Sequence, residues 1–258
     1  LKEGDLIIKV DDQYTKNMSL EDVIALIKGE EGTKVMLTIM REGDNEIYEF
    51  EVERREVPKQ TVSYEMLENK IAYIRISEFD KVTVDQFADA MATAKGSEML
   101  GLILDLRDNP GGNLAAVIDV ARKLLPKGLI VYTEDKAGER KDYTCNGENE
   151  LTVPMVVLVN GGSASASEVL AGAIKDYGKG KLLGTTTYGK GIVQKYLGIS
   201  DGSAVKLTTS KYYTPKGNNI HGIGIEPDEE LEMDYEQYLE KGYDNQLERA
   251  KEILVKGE

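Results

Sequence analysis

Two apolar runs, each followed by a glycine turn and a helix-forming stretch, constrain the fold of this chain more than any other feature. Residues 101–106 and 153–159 are mainly aliphatic, which is typical of strands buried on both faces of a sheet. A Gly-Gly pair follows each run. The predicted elements of this region are strands at 71–76, 101–106 and 153–159 and helices at 83–95, 114–125 and 165–177. This alternation predicts an α/β (α+β) layered domain.

The beginning of the chain has the pattern of a separate, smaller module. Residues 5–10 form a short β-type run, and Ser19 is a good N-cap for a helix over residues 19–28. Alternating apolar and polar residues over 34–54, around the turn Glu-Gly-Asp at 42–44, predict a hairpin. We therefore predict two domains, residues 1–56 and residues 57–258.

Charge and composition exclude several classes of function. The net charge of −14, from 46 acidic and 32 basic residues, argues against nucleic acid as a partner, because binding DNA or RNA requires neutralised phosphates. With one cysteine, Cys145, and one histidine, His221, the chain can form neither an intramolecular disulfide nor a Cys–His metal cluster. We expect no metal and no cofactor. A histidine-dependent hydrolase would rest on His221 alone, whose Asn and Gly neighbours predict a surface loop.

The segment Asn-Gly-Gly-Ser-Ala-Ser-Ala-Ser-Glu at 160–168 is the first candidate for chemistry. A serine at the start of a helix lies beside unpaired amides at the positive end of the helix dipole, which can stabilise an oxyanion. The alternative is structural, because Ser165 and Glu168 have the spacing of a capping box. The segment contains no Gly-x-Ser-x-Gly and is not a nucleophile elbow by sequence.

Two further segments contain glycine turns. Residues 184–191 nearly match a phosphate-binding loop, but Gly191 stands where a Mg²⁺-binding hydroxyl is required, and β-branched residues follow where a helix should begin. Nucleotide binding is therefore disfavoured. Residues 105–112, Asp-Leu-Arg-Asp-Asn-Pro-Gly-Gly, run from a strand end into a glycine turn, which taken alone is also compatible with an ordinary βα connection.

Taken together, these segments resemble the carboxy-terminal processing proteases, also called tail-specific proteases. The resemblance is carried in order by residues 105–112, by Gly-Ser-Ala-Ser-Ala-Ser-Glu at 162–168, by Tyr-Gly-Lys-Gly-Ile-Val-Gln at 188–194 and by the stretch at 216–228. It implies a serine endopeptidase with a crotonase/ClpP-like core that cleaves polypeptides near their C-termini without ATP.

The resemblance also implies roles for individual residues. The family's nucleophile lies 25 residues before its catalytic lysine, which selects Ser165, with Lys190 as the general base, over Ser163 and Ser167. Gln194 matches the residue that orients the lysine. The implied oxyanion donors are the backbone amides of Ala166 and of one residue of the pair Gly111 and Gly112, and the sequence leaves open which one.

A lysine can act as a base only if its surroundings favour the neutral form. An unperturbed lysine has a pKa of about 10.4 and is protonated at neutral pH. Burial disfavours the charged form, which allows the amine to accept the serine proton. Residues 189–193 around Lys190 are Gly, Ile and Val, with no carboxylate among them to hold the ammonium charged.

The N-terminal module resembles the later two-thirds of a PDZ domain, which binds a peptide C-terminus as an added strand. The resemblance implies that this module gates the protease, that substrates carry free C-termini and that the protein is extracytoplasmic; a homodimer is left open. The chain begins at Leu1 inside a domain and has no apolar run of roughly 20 residues. We therefore expect a piece of a longer protein, with a leader or membrane anchor left open. The competing hypothesis is a PDZ-containing peptide-binding scaffold on a protease-like core that no longer cleaves.

Overall fold

The computed structural model describes residues 1–2, 4–41, 46–57 and 59–257, and divides the chain into two compact units, Leu1–Lys59 and Gln60–Glu258. The first unit contains β1 (Leu6–Val10), β2 (Gln13–Tyr14), α1 (Leu20–Ile27), β3 (Lys34–Met40) and β4 (Ile47–Glu53). Its strands form one antiparallel sheet in the order β2-β1-β3-β4.

The predictions for the first unit are confirmed where the structure describes them. Ser19 caps α1 by accepting the N–H of Asp22 at 3.2 Å. Strands β3 and β4 pair as the predicted hairpin. The predicted turn at residues 42–44 lies outside the described residues.

The second unit contains ten strands and five α-helices among its described residues. Its strands are β5 (Val62–Leu67), β6 (Ile71–Ile76), β7 (Gly101–Asp105), β8 (Gly128–Asp135), β9 (Arg140–Cys145), β10 (Met155–Val159), β11 (Lys181–Gly184), β12 (Ile192–Gly198), β13 (Ala204–Tyr213) and β14 (Glu229–Glu230). Its helices are α2 (Lys81–Gly96), α3 (Leu114–Ala121), α4 (Ala166–Tyr177), α5 (Tyr235–Lys241) and α6 (Asn245–Lys256).

These strands form two sheets. The larger has the order β14-β11-β10-β7-β6-β5 and is parallel except for β5, which runs antiparallel to β6. The smaller is antiparallel, in the order β12-β13-β8-β9. The predicted mixed α/β architecture is confirmed. Helix α3 ends four residues earlier than predicted, because Lys123 N–H bonds back to Val120 O and tightens the next turn.

Helices cover both faces of the larger sheet. Successive residues of β7 point to opposite faces, so Leu102 and Leu104 pack in the cluster that includes α2, α3 and α4, whereas Ile103 packs against α6. Every residue of β7 and β10 is buried, as the apolar runs predict. Burying one such side chain contributes about 1.5–3 kcal/mol. The carboxyl ends of these two rigid strands carry the glycine turns of the candidate site.

Among the described residues, no helix combines the length and apolar character that crossing a bilayer requires.

Candidate active site

Ser165 lies in the turn that joins β10 to α4, and its backbone is in an unusual conformation. It is the N-cap of α4 with φ 54° and ψ −110°. Residues with a side chain rarely adopt this region, and such outliers concentrate at functional sites. The sequence lacks the motif of a nucleophile elbow, yet the structure places this serine in a strained turn between a strand and a helix.

The neighbouring serines have structural roles. Ser163 is fully buried, donates its hydroxyl to Leu106 O at 2.7 Å and accepts the N–H of Asn160 at 3.0 Å. Ser167 is also fully buried and donates to Asn109 O at 2.9 Å. Ser165 is only half-buried and lines an open pocket. The structure therefore distinguishes Ser165 from its neighbours.

The loop that carries Lys190 joins two strands. Strand β11 ends at Gly184 and β12 begins at Ile192, so residues 184–191 open no helix. This confirms the contextual argument against a phosphate-binding loop. Lys190 is half-buried, and its side chain forms no ion pair with any described residue.

Glu168 ties this loop to the nucleophile turn. Its carboxylate is fully buried, and one oxygen, Oε2, accepts the backbone N–H groups of both Ser165 and Lys190 at 2.8 Å each. The other oxygen, Oε1, accepts from the Gly189 N–H and the Thr187 hydroxyl at 2.7 Å each. Four donors thus satisfy one buried charge, as burial of a carboxylate requires.

This network adds to two observations from the sequence. The residues flanking Lys190 contain no carboxylate, but the fold brings the Glu168 carboxylate to the lysine's own amide. Ser165 and Glu168 do have capping-box geometry, but only the Glu168 half is a hydrogen bond of normal geometry. Three of the four donors to the Glu168 carboxylate lie in residues 187–190, about twenty residues further along the chain, and the capping-box spacing does not indicate them.

A second residue that the sequence did not single out is Tyr212 in β13. Its side chain is almost fully buried, and its hydroxyl lies against the carbonyl oxygens of Ser165, at 3.0 Å, and of Lys190. Burial, and then the nearby Glu168 carboxylate, raise the pKa of the Tyr212 phenol well above its usual range. The phenol therefore remains a hydrogen-bond donor. No sequence motif marks this residue.

The glycine turn after β7 is held against the nucleophile turn. Gly111 lies so close that a Cβ there would be 2.8 Å from both the Ser165 Cβ and the Ala166 nitrogen. Its N–H donates to Asn109 Oδ1 at 2.9 Å, and its carbonyl accepts the Phe79 N–H at 2.8 Å. Gly112 has φ 135°, and a Cβ there would be 2.1 Å from Phe79 O. Both positions therefore require glycine.

All six sequence-predicted site residues line one cavity of about 500 Å³, which is formed by the second unit alone. They are Ser165, Lys190, Gln194, Ala166, Gly111 and Gly112. Gln194 lies on strand β12, and its Nε2 is 3.5 Å from Thr208 Oγ1. His221 is exposed and lies outside this set, as predicted.

Comparison with known proteins agrees with this geometry. Residues 70–231 match the family model of peptidase family S41, and these residues carry the serine turn, the lysine loop and the glycine turn. The chain belongs to peptidase family S41. Residues 1–41 match the model of a PDZ domain.

Named relatives of this S41 peptidase are processing proteases. It is 38% identical over 263 residues to a "Carboxyl-terminal-processing protease" of Synechocystis sp., covering 100% of this chain and 62% of that protein. It is 39% identical over 234 residues to "Carboxy-terminal processing protease CtpA" of Bacillus subtilis, covering 90% of this chain and 50% of that protein. The chain thus spans roughly half to three-fifths of these relatives.

Among solved structures, the S41 chain resembles the "photosystem II D1 C-terminal processing protease". The TM-score is 0.63 at 34% identity, with 90% of this chain and 64% of that chain covered. Mature CPAF, at 15% identity and a TM-score of 0.58, shares the fold, with 98% of this chain and 76% of that chain covered.

Proposed function

We propose that this protein is a serine endopeptidase that cleaves polypeptides near their C-termini with a Ser165–Lys190 dyad. The observation that carries the proposal is the strained, half-buried Ser165 in one cavity with Lys190 and the glycine turn. The proposal extends to domains at 1–56, a partial PDZ domain, and 57–258, the peptidase core. It includes a core of crotonase/ClpP-like type, supported by the alternation of strands and helices around the larger sheet.

The reaction follows the pattern of nucleophilic catalysis. Ser165 Oγ attacks the scissile carbonyl carbon while neutral Lys190 Nζ takes the hydroxyl proton. The tetrahedral intermediate expels the amine, which receives that proton from Lys190, and an ester remains on Ser165. Water then attacks the ester, Lys190 again accepts the proton, and collapse returns the hydroxyl to Ser165. Each proton accepted is later returned, so the cycle needs no external acid, base or nucleotide.

For the oxyanion we propose the amides of Ala166 and Gly112. Ala166 is the first residue of α4, where N–H groups lack partners within the helix. Gly111 is less suited because its N–H is already bonded to Asn109 Oδ1. Gly112 forms a parallel β-bridge with Phe79, in which Gly111 O accepts the Phe79 N–H and the Asn113 N–H donates to Phe79 O. In a bridge of this kind the N–H of Gly112 itself points away from Phe79.

Gln194 is proposed to orient Lys190. It lines the same cavity from β12, and its amide makes only a long contact of 3.5 Å with Thr208, so it can turn toward the lysine without breaking a strong bond. The rest of the wall is mixed in character. Five of its residues are apolar and could contact apolar side chains of a substrate, namely Pro110, Leu114, Val169, Ile192 and Val193, and four carry charged or hydroxyl groups, namely Glu78, Tyr196, Lys206 and Tyr212.

The proposed substrate class and regulation are inferred from the named relatives. Their names describe carboxyl-terminal processing, and we propose the same substrate class, polypeptides with free C-termini. We further propose that the PDZ module gates cleavage by binding substrate tails and that the protein acts outside the cytoplasm. Gating requires the tail to bind the competent state more tightly than the resting state.

The test of the dyad is covalent labelling. A fluorophosphonate probe should modify Ser165, located by peptide mass spectrometry, and Ser165→Ala should abolish both labelling and peptide cleavage. Lys190→Ala should cost nearly as much, because residues that act as a unit are not additive. Unchanged labelling of Ser165→Ala, or an active Ser165→Ala enzyme, would exclude Ser165 as the nucleophile and favour another serine, whereas a folded wild-type chain that neither labels nor cleaves would favour the non-cleaving scaffold.

Tail sensing is tested by cleaving one peptide with a free and with an amidated C-terminus. A longer version of the protein with a complete PDZ domain should prefer the free tail, whereas this chain should respond weakly. Equal rates in the longer protein would remove tail sensing. A strong preference in this chain would mean that the carboxylate is recognised within the peptidase core.

A further inference from the structure

Tyr212 and Glu168 contact the same two residues through different backbone groups. Glu168 Oε2 accepts the N–H groups of Ser165 and Lys190, at 2.8 Å each. The Tyr212 hydroxyl lies against the C=O groups of Ser165 and Lys190. When the N–H and the C=O of a residue are both held, its φ and ψ are held as well. The direction of its Cα–Cβ bond, and hence of its side chain, follows from these angles.

The two residues depend on Tyr212 to different degrees. The carbonyl of Ser165 also accepts the N–H groups of Glu168 and Val169 at 3.0 Å, as expected at the start of a helix. The carbonyl of Lys190 has Tyr212 as its partner among the hydrogen bonds of the described residues. Loss of the Tyr212 hydroxyl would therefore release the lysine loop more than the serine turn.

The position of Tyr212 suits such a role. It lies on an inner strand of the smaller sheet, β13, opposite Thr133 of β8, and its own N–H donates to Gly191 O at the end of the lysine loop at 3.2 Å. Its side chain is almost fully buried in the core of the second unit. A hydroxyl that is held by a buried ring and contacts two carbonyls can set the distance between them.

We propose that Tyr212 is a positioning residue, which together with Glu168 fixes the backbone of Lys190 relative to Ser165 so that the amine meets the nucleophile. This inference rests on the proposed function of the dyad. The Tyr212 side chain also lines the cavity, but in this role the residue takes no part in the bond-making steps. It acts through the peptide groups of the two residues that do.

The experiment compares Tyr212→Phe with wild type in the whole chain, using steady-state cleavage and the rate of fluorophosphonate labelling. We expect kcat and the labelling rate to fall about 10- to 100-fold, because small displacements of catalytic groups cost this much. KM should stay within about twofold, since Tyr212→Phe keeps the ring and every other residue that lines the cavity and removes only one hydroxyl. Tyr213→Phe is the matched control. This neighbouring ring stacks on Tyr132 at 4.9 Å, and its variant should match wild type.

Glu168→Asp is the second variant. It keeps the carboxylate but shortens the side chain, which moves the carboxylate away from the N–H groups of Ser165 and Lys190. It should show the same fall in kcat with little change in KM. Rates are measured per folded protein from thermal melts, so that lost stability is separated from lost positioning. Wild-type kcat and labelling in folded Tyr212→Phe, or in folded Glu168→Asp, would overturn the inference. Failure of wild type to label at Ser165 would instead overturn the proposed function.

Discussion

Replacement of Ser165 by glycine should stabilise the protein while abolishing its activity. The backbone at Ser165, with φ 54° and ψ −110°, lies where residues with a Cβ are strained. Such strain costs of order 1–3 kcal/mol. Glycine removes it, but loses a few tenths of a kcal/mol as an N-cap and about 0.4–1 kcal/mol through the entropy of the unfolded chain. The net expectation is a gain of about 1 kcal/mol.

Calorimetry of the whole chain measures this effect. For a domain of this size, a change of about 1 kcal/mol shifts Tm by about 2–4 °C. The matched control is Asn113→Gly, at the N-cap of α3 in the same unit. Asn113 has an ordinary backbone, with φ −73° and ψ 120°, and accepts two amides of the first turn. This variant should lower Tm, because no strain offsets the lost cap.

The result that would refute this reasoning is a Tm for Ser165→Gly below that of wild type, in parallel with Asn113→Gly. Ser165 would then behave as an ordinary N-cap, and its backbone would store no strain for catalysis. A higher Tm together with complete loss of cleavage would support a nucleophile held in a conformation that the fold alone does not favour.

Four further outcomes are expected. Ser163→Ala should lose about 1–3 kcal/mol of stability, because the Asn160 N–H loses its acceptor and Leu106 O keeps only a 3.3 Å bond from Asn109. It should keep kcat within about threefold when folded, as a urea titration and an activity assay would show. Gly112→Ala, whose Cβ would meet Phe79 O at 2.1 Å, should lower kcat about 100-fold or more, and wild-type kcat would exclude Gly112 as an oxyanion donor. Hydrogen bonds from Arg249 and Lys181 lower the pKa of Glu229 from 4.5 to about 2. The ionised carboxylate therefore stabilises the fold, by less than about 1 kcal/mol, above pH 4.5, and this contribution is lost as the pH falls toward 2. In melts recorded at several pH values, Glu229→Gln should reduce the fall of Tm over this range, and an unchanged fall would contradict the prediction. Chelators and Mg²⁺-ATP should leave cleavage unchanged, because no cluster of three or more potential metal ligands exists among the described residues. Loss of cleavage with a chelator, or a strict requirement for Mg²⁺-ATP, would favour metal or nucleotide chemistry instead.

Much of the fold follows from local sequence. The runs at 101–106 and 153–159 are apolar enough to be buried on both faces, and the structure buries every residue of β7 and β10. Glycine pairs and cap residues mark where strands end and helices begin, because their preferences act within a few residues. The capping of α1 by Ser19 and the hairpin of β3 and β4 are of this kind. Such signals require no knowledge of the partner elements.

The site was only partly accessible from sequence. Motif resemblance selected Ser165 and Lys190, and it left two glycines as equal candidates for the oxyanion. The tertiary structure distinguishes these glycines, because the Gly111 N–H already donates a hydrogen bond to the Asn109 side chain. It also distinguishes the serines, because Ser163 and Ser167 are buried and their hydroxyls donate hydrogen bonds to carbonyls of the turn after β7. Hydrogen bonds between distant segments leave no periodic pattern in a sequence.

Glu168 and Tyr212 show most clearly what only the tertiary structure decided. Sequence spacing explains Glu168 as a helix cap, and Tyr212 as an ordinary aromatic residue of a strand. Their joint contacts with the backbones of Ser165 and Lys190 arise because α4, the lysine loop and β13 meet at one point. Local propensity determines which segments form helices and strands, whereas the burial of the Glu168 carboxylate among four donors depends on how those helices and strands pack.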